Sequence, residues 1–495
     1  MTARFLFVSV FITGAALLVI EILANRMLSP YFGGTLYNTS AILATVLGGL
    51  SIGYWLGGKA ATSKNIKILF LLIILFIGIF TLITGLVYTY FLAYIQQIMS
   101  PMLGSLVSSV LLFLVPSVFF GLLSPIAIVI LDQETKQNTL GSKVGNMYAI
   151  STMGSIFGSL LTGFVLLPYV PVDIILKSVA VILLLLAALG SFIFKNKSLL
   201  SATAMVVLIS FIAFFLTPSN SVIASINGQY NNISVVDGTW EYRPARFFLM
   251  DQQLSAAKYL DNHSELVLDY SLYYDIYKKF DIIPKNIAAI GGAAYSVPQA
   301  YVQENPNVQV DVYEIEEKTI EVANKYFDNA AAHPRIHTLV GDARIELQKS
   351  TQKYDVIFID AYSGINAIPW QLTTVEFYQI VEEHLAPGGV VISNTIVNIA
   401  PGSTKVLDSY VKTQKEVFGH ISVYNAVDKV ASQTTANAMI IAANSEKVAN
   451  SVAMKYITQD RFVKSNIDLG YLNGGIVLRD NYAPIEYFGL EELIH

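Results

Sequence analysis

Ile287-Ala-Ala-Ile290-Gly291-Gly292-Ala293-Ala294 is a short apolar run that ends in a stretch of very small residues. A run of this length, apolar throughout and closed by glycine, reads as a buried strand, and the turn after it lets a ligand come close to the backbone. Further runs follow at helix-sized intervals: Val308-Gln-Val-Asp-Val-Tyr313, Ile336-His-Thr-Leu-Val340, Tyr354-Asp-Val-Ile-Phe-Ile359 and Gly389-Val-Val-Ile-Ser393. Regular alternation of strand and helix predicts a Rossmann-like α/β domain, a mostly parallel sheet with helices on both faces. In such sheets ligands bind beyond the carboxyl ends of the strands.

The residues at those ends are the informative ones. Gly291 and Gly292, with Ala293, open the first turn, and twenty-three residues after Gly291 the second strand delivers Glu314, placed to accept from both hydroxyls of a ribose. The third strand ends at Gly341-Asp342-Ala343, where Asp342 is placed to accept from an exocyclic adenine amine; the fourth ends at Asp360-Ala361-Tyr362-Ser363-Gly364. There is no GxxxxGK[ST] loop and no third glycine of the dinucleotide fingerprint, so a nucleoside fits better than ATP or NAD. Upstream, Ile233-Ser-Val-Val236 and Arg246-Phe-Phe-Leu-Met250, with turn residues such as Asp237-Gly238 between them, predict a small β-meander. Asp251 and Gln252, between meander and sheet, are candidate cofactor contacts, with a plain turn role as the competing reading.

Composition splits the chain. Residues 1–217 hold ten Lys/Arg and four Asp/Glu, residues 218–495 twenty-one and thirty-two. The acidic second half lacks the basic face that a nucleic-acid backbone demands. Without cysteine there are no disulfides or thiolate metal sites, and the six histidines show no ligand spacing, so no metal is expected. A helix needs about 20 apolar residues to cross a bilayer. Seven stretches qualify, at 5–28, 38–58, 67–92, 104–131, 146–168, 173–194 and 199–217. The expected division is therefore a seven-helix transmembrane domain at 1–217, the meander and linker at 218–280, and the nucleoside-binding domain at 281–495.

Within the helices, Gly154 and Gly158 lie four apart, a spacing that lets a neighbouring helix approach closely, in a stretch that also holds Gly145 and Gly163. Glu21 and Arg26 stand out as intramembrane charges, and Asp173 and Lys177, four apart, are spaced to pair. Arg4, Lys59, Lys64, Lys67, Lys136, Lys143, Lys195 and Lys197 fall on the N-terminal side of the bundle against Arg26 and Lys177 on the other, which predicts a cytoplasmic N-terminus. Seven crossings then put the C-terminal domain outside, in tension with a cofactor made in the cytosol.

The chain resembles the spermidine-synthase family, and within it the membrane-fused branch. The likeness rests on Gly14-Ala-Ala-Leu-Leu-Val-Ile-Glu21, Arg26, Pro30-Tyr-Phe-Gly33 and Gly145-Asn-Met-Tyr-Ala-Ile-Ser-Thr-Met-Gly154 in the first half. In the second it rests on Tyr230, Leu249-Met-Asp251, Gly291-Gly292, Glu314, Gly341-Asp342-Ala343, Tyr354 to Asp360, Ile368-Pro369, Glu376-Phe377-Tyr378, Leu385-Ala-Pro-Gly-Gly389 and Asp480-Asn-Tyr-Ala-Pro484. The resemblance implies that Glu314 binds the ribose, Asp342 with Ala343 the adenine, and that Asp360 sits beside a reacting sulfonium and an incoming amine. The co-substrate would be S-adenosylmethionine or its decarboxylated form, without a metal.

Two departures bear on which. Polyamine-making members carry an aspartate where this chain has Ala294, and a second one three residues after the match to Asp360, where it has Ser363. Losing both charges favours methyl transfer from intact S-adenosylmethionine; aminopropyl transfer to a polyamine is the alternative, and a non-catalytic transporter or sensor is a reading from another class. Asp360 and Tyr362 are the catalytic candidates, and Tyr273, Tyr295 and Tyr482 the candidate aromatic wall for the substrate cation. The expected partners are a lipid bilayer and an amine acceptor on a polyamine, a protein side chain or a membrane-associated molecule, with a homodimer left open.

Overall fold

The computed structural model describes residues 2–135, 139–215 (backbone alone for 209–215), 222–251, 253–262, 265–362, 368–400, 402–426, 435–445, 467–485 and 487–489. Two compact units divide the chain at residues 220 and 221.

The first unit is helical: α1 (Thr2–Phe32), α2 (Leu36–Ala60), α3 (Ile66–Ile98), α4 (Pro101–Glu134), α5 (Leu140–Tyr169), α6 (Val172–Ile193) and α7 (Lys197–Phe215). Among the described residues six helices, α1 to α6, are long and apolar enough to cross a membrane, against the seven spans expected. The seventh stretch is helical over Lys197–Phe215, 19 residues, with side chains described as far as Leu208. Close approach through small residues is borne out at α1 and α5, where a Cβ on Gly154 would collide with the Phe11 carbonyl and one on Gly158 with the Ala15 carbonyl. Gly145 and Gly163 have nothing near them and take no part. A second contact of the same kind joins Gly49, Gly53 and Gly57 of α2 to Ser117, Gly121 and Leu122 of α4. Lys177 meets Asp173 at 2.9 Å, the pairing their spacing predicts.

The second unit opens with an antiparallel meander, β1 (Val222–Asn227), β2 (Asn232–Trp240), β3 (Arg243–Met250) and β4 (Gln253–Tyr259), ordered as in the chain. A 3₁₀ segment, Asp269–Phe280, leads into the larger sheet. That sheet comprises β5 (Asn286–Ile290), β6 (Gln309–Glu314), β7 (Ile336–Val340), β8 (Tyr354–Ile359), β9 (Leu385–Asn398), β10 (His420–Asn425) and β11 (Thr435–Ala443), in the order β10-β11-β9-β8-β5-β6-β7. The sequence reading of a mostly parallel sheet is refined to a mixed one. The strands β9 to β7 run parallel, whereas β11 inserts antiparallel beside β9 and β10 pairs antiparallel with it.

Helices α8 (Ser296–Glu304), α9 (Glu317–Tyr326), α10 (Ala343–Lys349), α11 (Val375–Glu383) and α12 (Lys405–Lys415) cover the faces. The period of two along β5 explains why both need covering: Ile287 and Ala289 enter one apolar cluster with Val356, Phe358 and Ile392, Ala288 and Ile290 the other with Ile357, Ile359 and Val391. Strand order reverses between β5 and β8, the place where such sheets open a crevice at their carboxyl ends.

Candidate active site

The turn after β5 is held in a conformation few side chains tolerate. Gly291 has φ +96° and a Cβ there would strike the Asp360 carbonyl. Ala293 and Tyr295 follow at φ 44° and 60°, strain of the sort that collects at functional sites, and the Tyr295 amide closes the turn on the Gly292 carbonyl at 2.7 Å. Glu314, buried at the end of β6, locks this turn from below. Its Oε2 accepts from the Gly292 amide at 2.8 Å and its Oε1 from the Glu316 amide at 2.9 Å. Burial raises its pKa, and those amides pull the other way. With the Ala293 amide as a third donor, acceptor capacity remains on this carboxylate for a ribose hydroxyl.

Asp342 caps α10, its Oδ1 accepting from the Arg344 amide at 2.8 Å, with Ala343 buried behind it. Arg344 holds the distant Asp480 through two hydrogen bonds, of 2.8 and 2.5 Å, which tethers the segment bearing Tyr482 to this end of the sheet. Tyr482 itself is 63% exposed.

Asp360 emerges from β8, half-buried, with its amide on the Ile290 carbonyl at 2.9 Å. Asn394 of β9 donates to its Oδ1 at 2.8 Å, and Asn437 of β11 donates to the Asn394 amide oxygen at 2.9 Å, so the amide orientation of Asn394 is fixed from behind. The Tyr270 hydroxyl, which donates to the Ser255 carbonyl at 3.2 Å, also lies within hydrogen-bonding reach of the same carboxylate. Burial pushes the Asp360 carboxyl up to about 6, against the pull of these two donors. Tyr362 donates to the Asn394 carbonyl at 3.1 Å, which stands it beside Asp360.

The other candidates have partners of their own. The Tyr273 hydroxyl is buried on the Asn425 carbonyl at 3.0 Å, and Tyr295 is fully buried with its hydroxyl 2.9 Å from Thr338 Oγ1. Asp251 binds the Asn231 side chain and the Asn232 amide, both at 2.8 Å, and so fastens the β1–β2 turn. Ala294 is buried in an apolar cluster. Gln252 and Ser363 lie outside the described residues. Sequence reasoning missed Tyr270, Asn394 and Glu316. The last is a buried carboxylate that accepts from the Tyr230 amide at 2.7 Å and docks the meander's first turn on the larger sheet. A polar Asn394 directly after an apolar strand run was the one legible signal among them.

Residues 276–452 match the spermine/spermidine synthase domain family. The match lies within the second unit, and the helical unit takes no part in it. It is 33% identical over 154 residues to a probable polyamine aminopropyl transferase of Bifidobacterium longum, covering 30% of this chain and 33% of that protein. Over 144 residues it is 34% identical to a polyamine aminopropyltransferase of Vibrio vulnificus, covering 28% of this chain and 46% of that one. The matches thus span less than half of either relative. Among solved structures, a probable spermidine synthase from Corynebacterium glutamicum aligns with 53% of this chain and 99% of its own at 19% identity and a TM-score of 0.42. The names of these relatives correct the preference for methyl transfer drawn from Ala294 and Ser363: the synthase domain's relatives are named for aminopropyl transfer.

Proposed function

We propose that the protein is a sulfonium-dependent transferase of the polyamine aminopropyltransferase type, using decarboxylated S-adenosylmethionine and an amine acceptor. The observation that carries this reading is the carboxylate of Asp360, held by Asn394 and Tyr270 at the strand end next to the Gly291-Gly292 turn. The donor set fits a nucleoside. Glu314 offers carboxylate acceptors at the Gly291-Gly292 turn, and only one oxygen of Asp342 is engaged by its helix cap.

In the transfer, an amine nitrogen attacks the propyl carbon in line with the sulfur, the carbon–sulfur bond breaks, and its electrons leave with a neutral thioether. The nitrogen must lose a proton, and Asp360 receives it. An alkyl amine has a pKa of about 10.4, so a carboxylate raised to about 6 is a stronger base toward it than an ordinary aspartate. Tyr270 and Asn394 keep that carboxylate aimed, and Tyr362 walls the crevice beside it. The buried Ala294 is the observation favouring methyl transfer as the second reading, because it leaves a donor's ammonium without a partner at that position.

The test is turnover by the full chain in detergent, with 1,4-diaminobutane and either S-adenosylmethionine or its decarboxylated form. Methylthioadenosine released only with the decarboxylated donor supports aminopropyl transfer. Methylated diamine with the intact donor shifts the reading to methyl transfer, and no turnover with either refutes both.

A further inference from the structure

The helical unit contains a polar seam that no step of the proposed transfer uses. Glu21, Asn25 and Ser29 succeed one another at four-residue spacing along α1, hence on one face, over about 12 Å. Asn38 of α2, fully buried, donates to Asn25 Oδ1 at 3.1 Å and to Ser29 Oγ at 3.5 Å, and accepts from Ser105 of α4 at 2.9 Å. One helical turn past Ser105, the hydroxyls of Ser108 and Ser109 are buried without a partner, immediately before a π-helical segment, Val110–Leu114.

The Glu21 carboxylate has no hydrogen bond or ion pair among the described residues. Its surroundings are unusual in a second way. Phe11 abuts Gly154 and Ala15 abuts Gly158, so α1 and α5 run side by side in the same direction. Six residues beyond Ala15, Glu21 comes level with the other π-helical segment, Thr162–Leu166, which packs on α1. Widened turns of this kind recur at functional sites in helices. A carboxylate in a membrane helix costs several kcal/mol unless something compensates it, and here the described protein supplies nothing.

We infer that this seam is a binding site for an alkylammonium cation, its ammonium on Glu21 and further N–H groups on the Asn25, Ser29 and Asn38 oxygens. The inference rests on the helices crossing a bilayer, not on the transferase reading. A compact metal ion is a poor occupant: it needs six or more oxygens converging on one point, whereas these acceptors are strung along two turns of helix. Among the described residues no cluster of His, Asp or Glu has metal-site spacing. An elongated cation, with methylenes against the apolar helix walls and donors at intervals, matches the layout.

The test uses the full chain in lipid nanodiscs and radiolabelled 1,4-diaminobutane. Glu21→Gln should weaken one class of diamine site at least about tenfold, Glu21→Asp should keep it, and Asp360→Asn should leave that class unchanged. A Glu21→Gln protein with the thermal transition of the wild type and undiminished binding overturns the site. Should that variant not fold, the wild type answers: an apolar carbodiimide should label Glu21, and the diamine should slow labelling about tenfold. Labelling that the diamine leaves unaltered overturns the site as well. A loss confined to Asp360→Asn would support the transferase site while refuting this one.

Discussion

Asp360 combines a stability cost with a chemical use. Its carboxyl is raised to about 6 by burial, above the ordinary value near 3.9, so the folded state holds its proton more tightly than the unfolded chain does. The stability contributed by this group is fully present below about pH 4 and is lost as pH rises through about 6. Asp360→Asn, which carries no charge to desolvate, should therefore melt at a higher temperature than wild type at pH 7.5, with the gap closing below pH 4. Thermal melts across that range would show it, and a variant less stable at pH 7.5 would contradict it. The same variant should lose at least about 100-fold in kcat, the ordinary worth of a positioned base, while nucleoside binding persists. Tyr270→Phe works through this carboxylate. Its hydroxyl bond lowers the Asp360 pKa, so removing it should move the acidic limb of the pH–rate profile upward from about 6, a shift that a merely structural tyrosine would not produce.

The elements that shape the site are legible in the sequence where small residues mark them. Gly291 announced a turn, and the structure gives the reason: positive φ and no room for a Cβ against the Asp360 carbonyl. Gly291→Ala should cost at least about 1–2 kcal/mol from the left-handed backbone alone, with a further loss as the β5 and β8 ends are pushed apart, read as a lower urea midpoint together with weaker nucleoside binding. Gly154 and Gly158 were readable for the same reason, and so, in principle, were Gly49, Gly53 and Gly57, whose spacing of four escaped notice in a helix rich in glycine. What the sequence hid were choices among like residues. Tyr270 and Tyr273 stand three apart in a tyrosine-rich 3₁₀ segment, and only the packing decides that Tyr270 reaches Asp360 while Tyr273 reaches the Asn425 carbonyl. Asp251 likewise looks like a ligand carboxylate in one dimension, whereas in three it fastens the turn of the meander through the Asn231 side chain and the Asn232 amide.

At the scale of the whole chain, the number of crossings decides which compartment the α/β domain faces. The eight Lys/Arg on one side of the predicted bundle against two on the other predict a cytoplasmic N-terminus by the charge rule. Seven crossings would export the domain, away from a donor made in the cytosol. Six crossings, the number of helices long and apolar enough to span among the described residues, would bring the chain back to the side on which it began. Lys195, after α6, and Lys197, which opens α7, would be cytoplasmic charges with either count, so α7, 19 residues long, is the helix that decides between them. The expected outcome is a fluorescent C-terminal fusion to green fluorescent protein, an inactive C-terminal fusion to alkaline phosphatase, and an active phosphatase when it is inserted between α1 and α2. Activity of the C-terminal phosphatase would mean that α7 completes a seventh crossing. The donor would then have to reach the far side before Asp360 could use it, and the polar seam beside Glu21 would become the first place to look for its path.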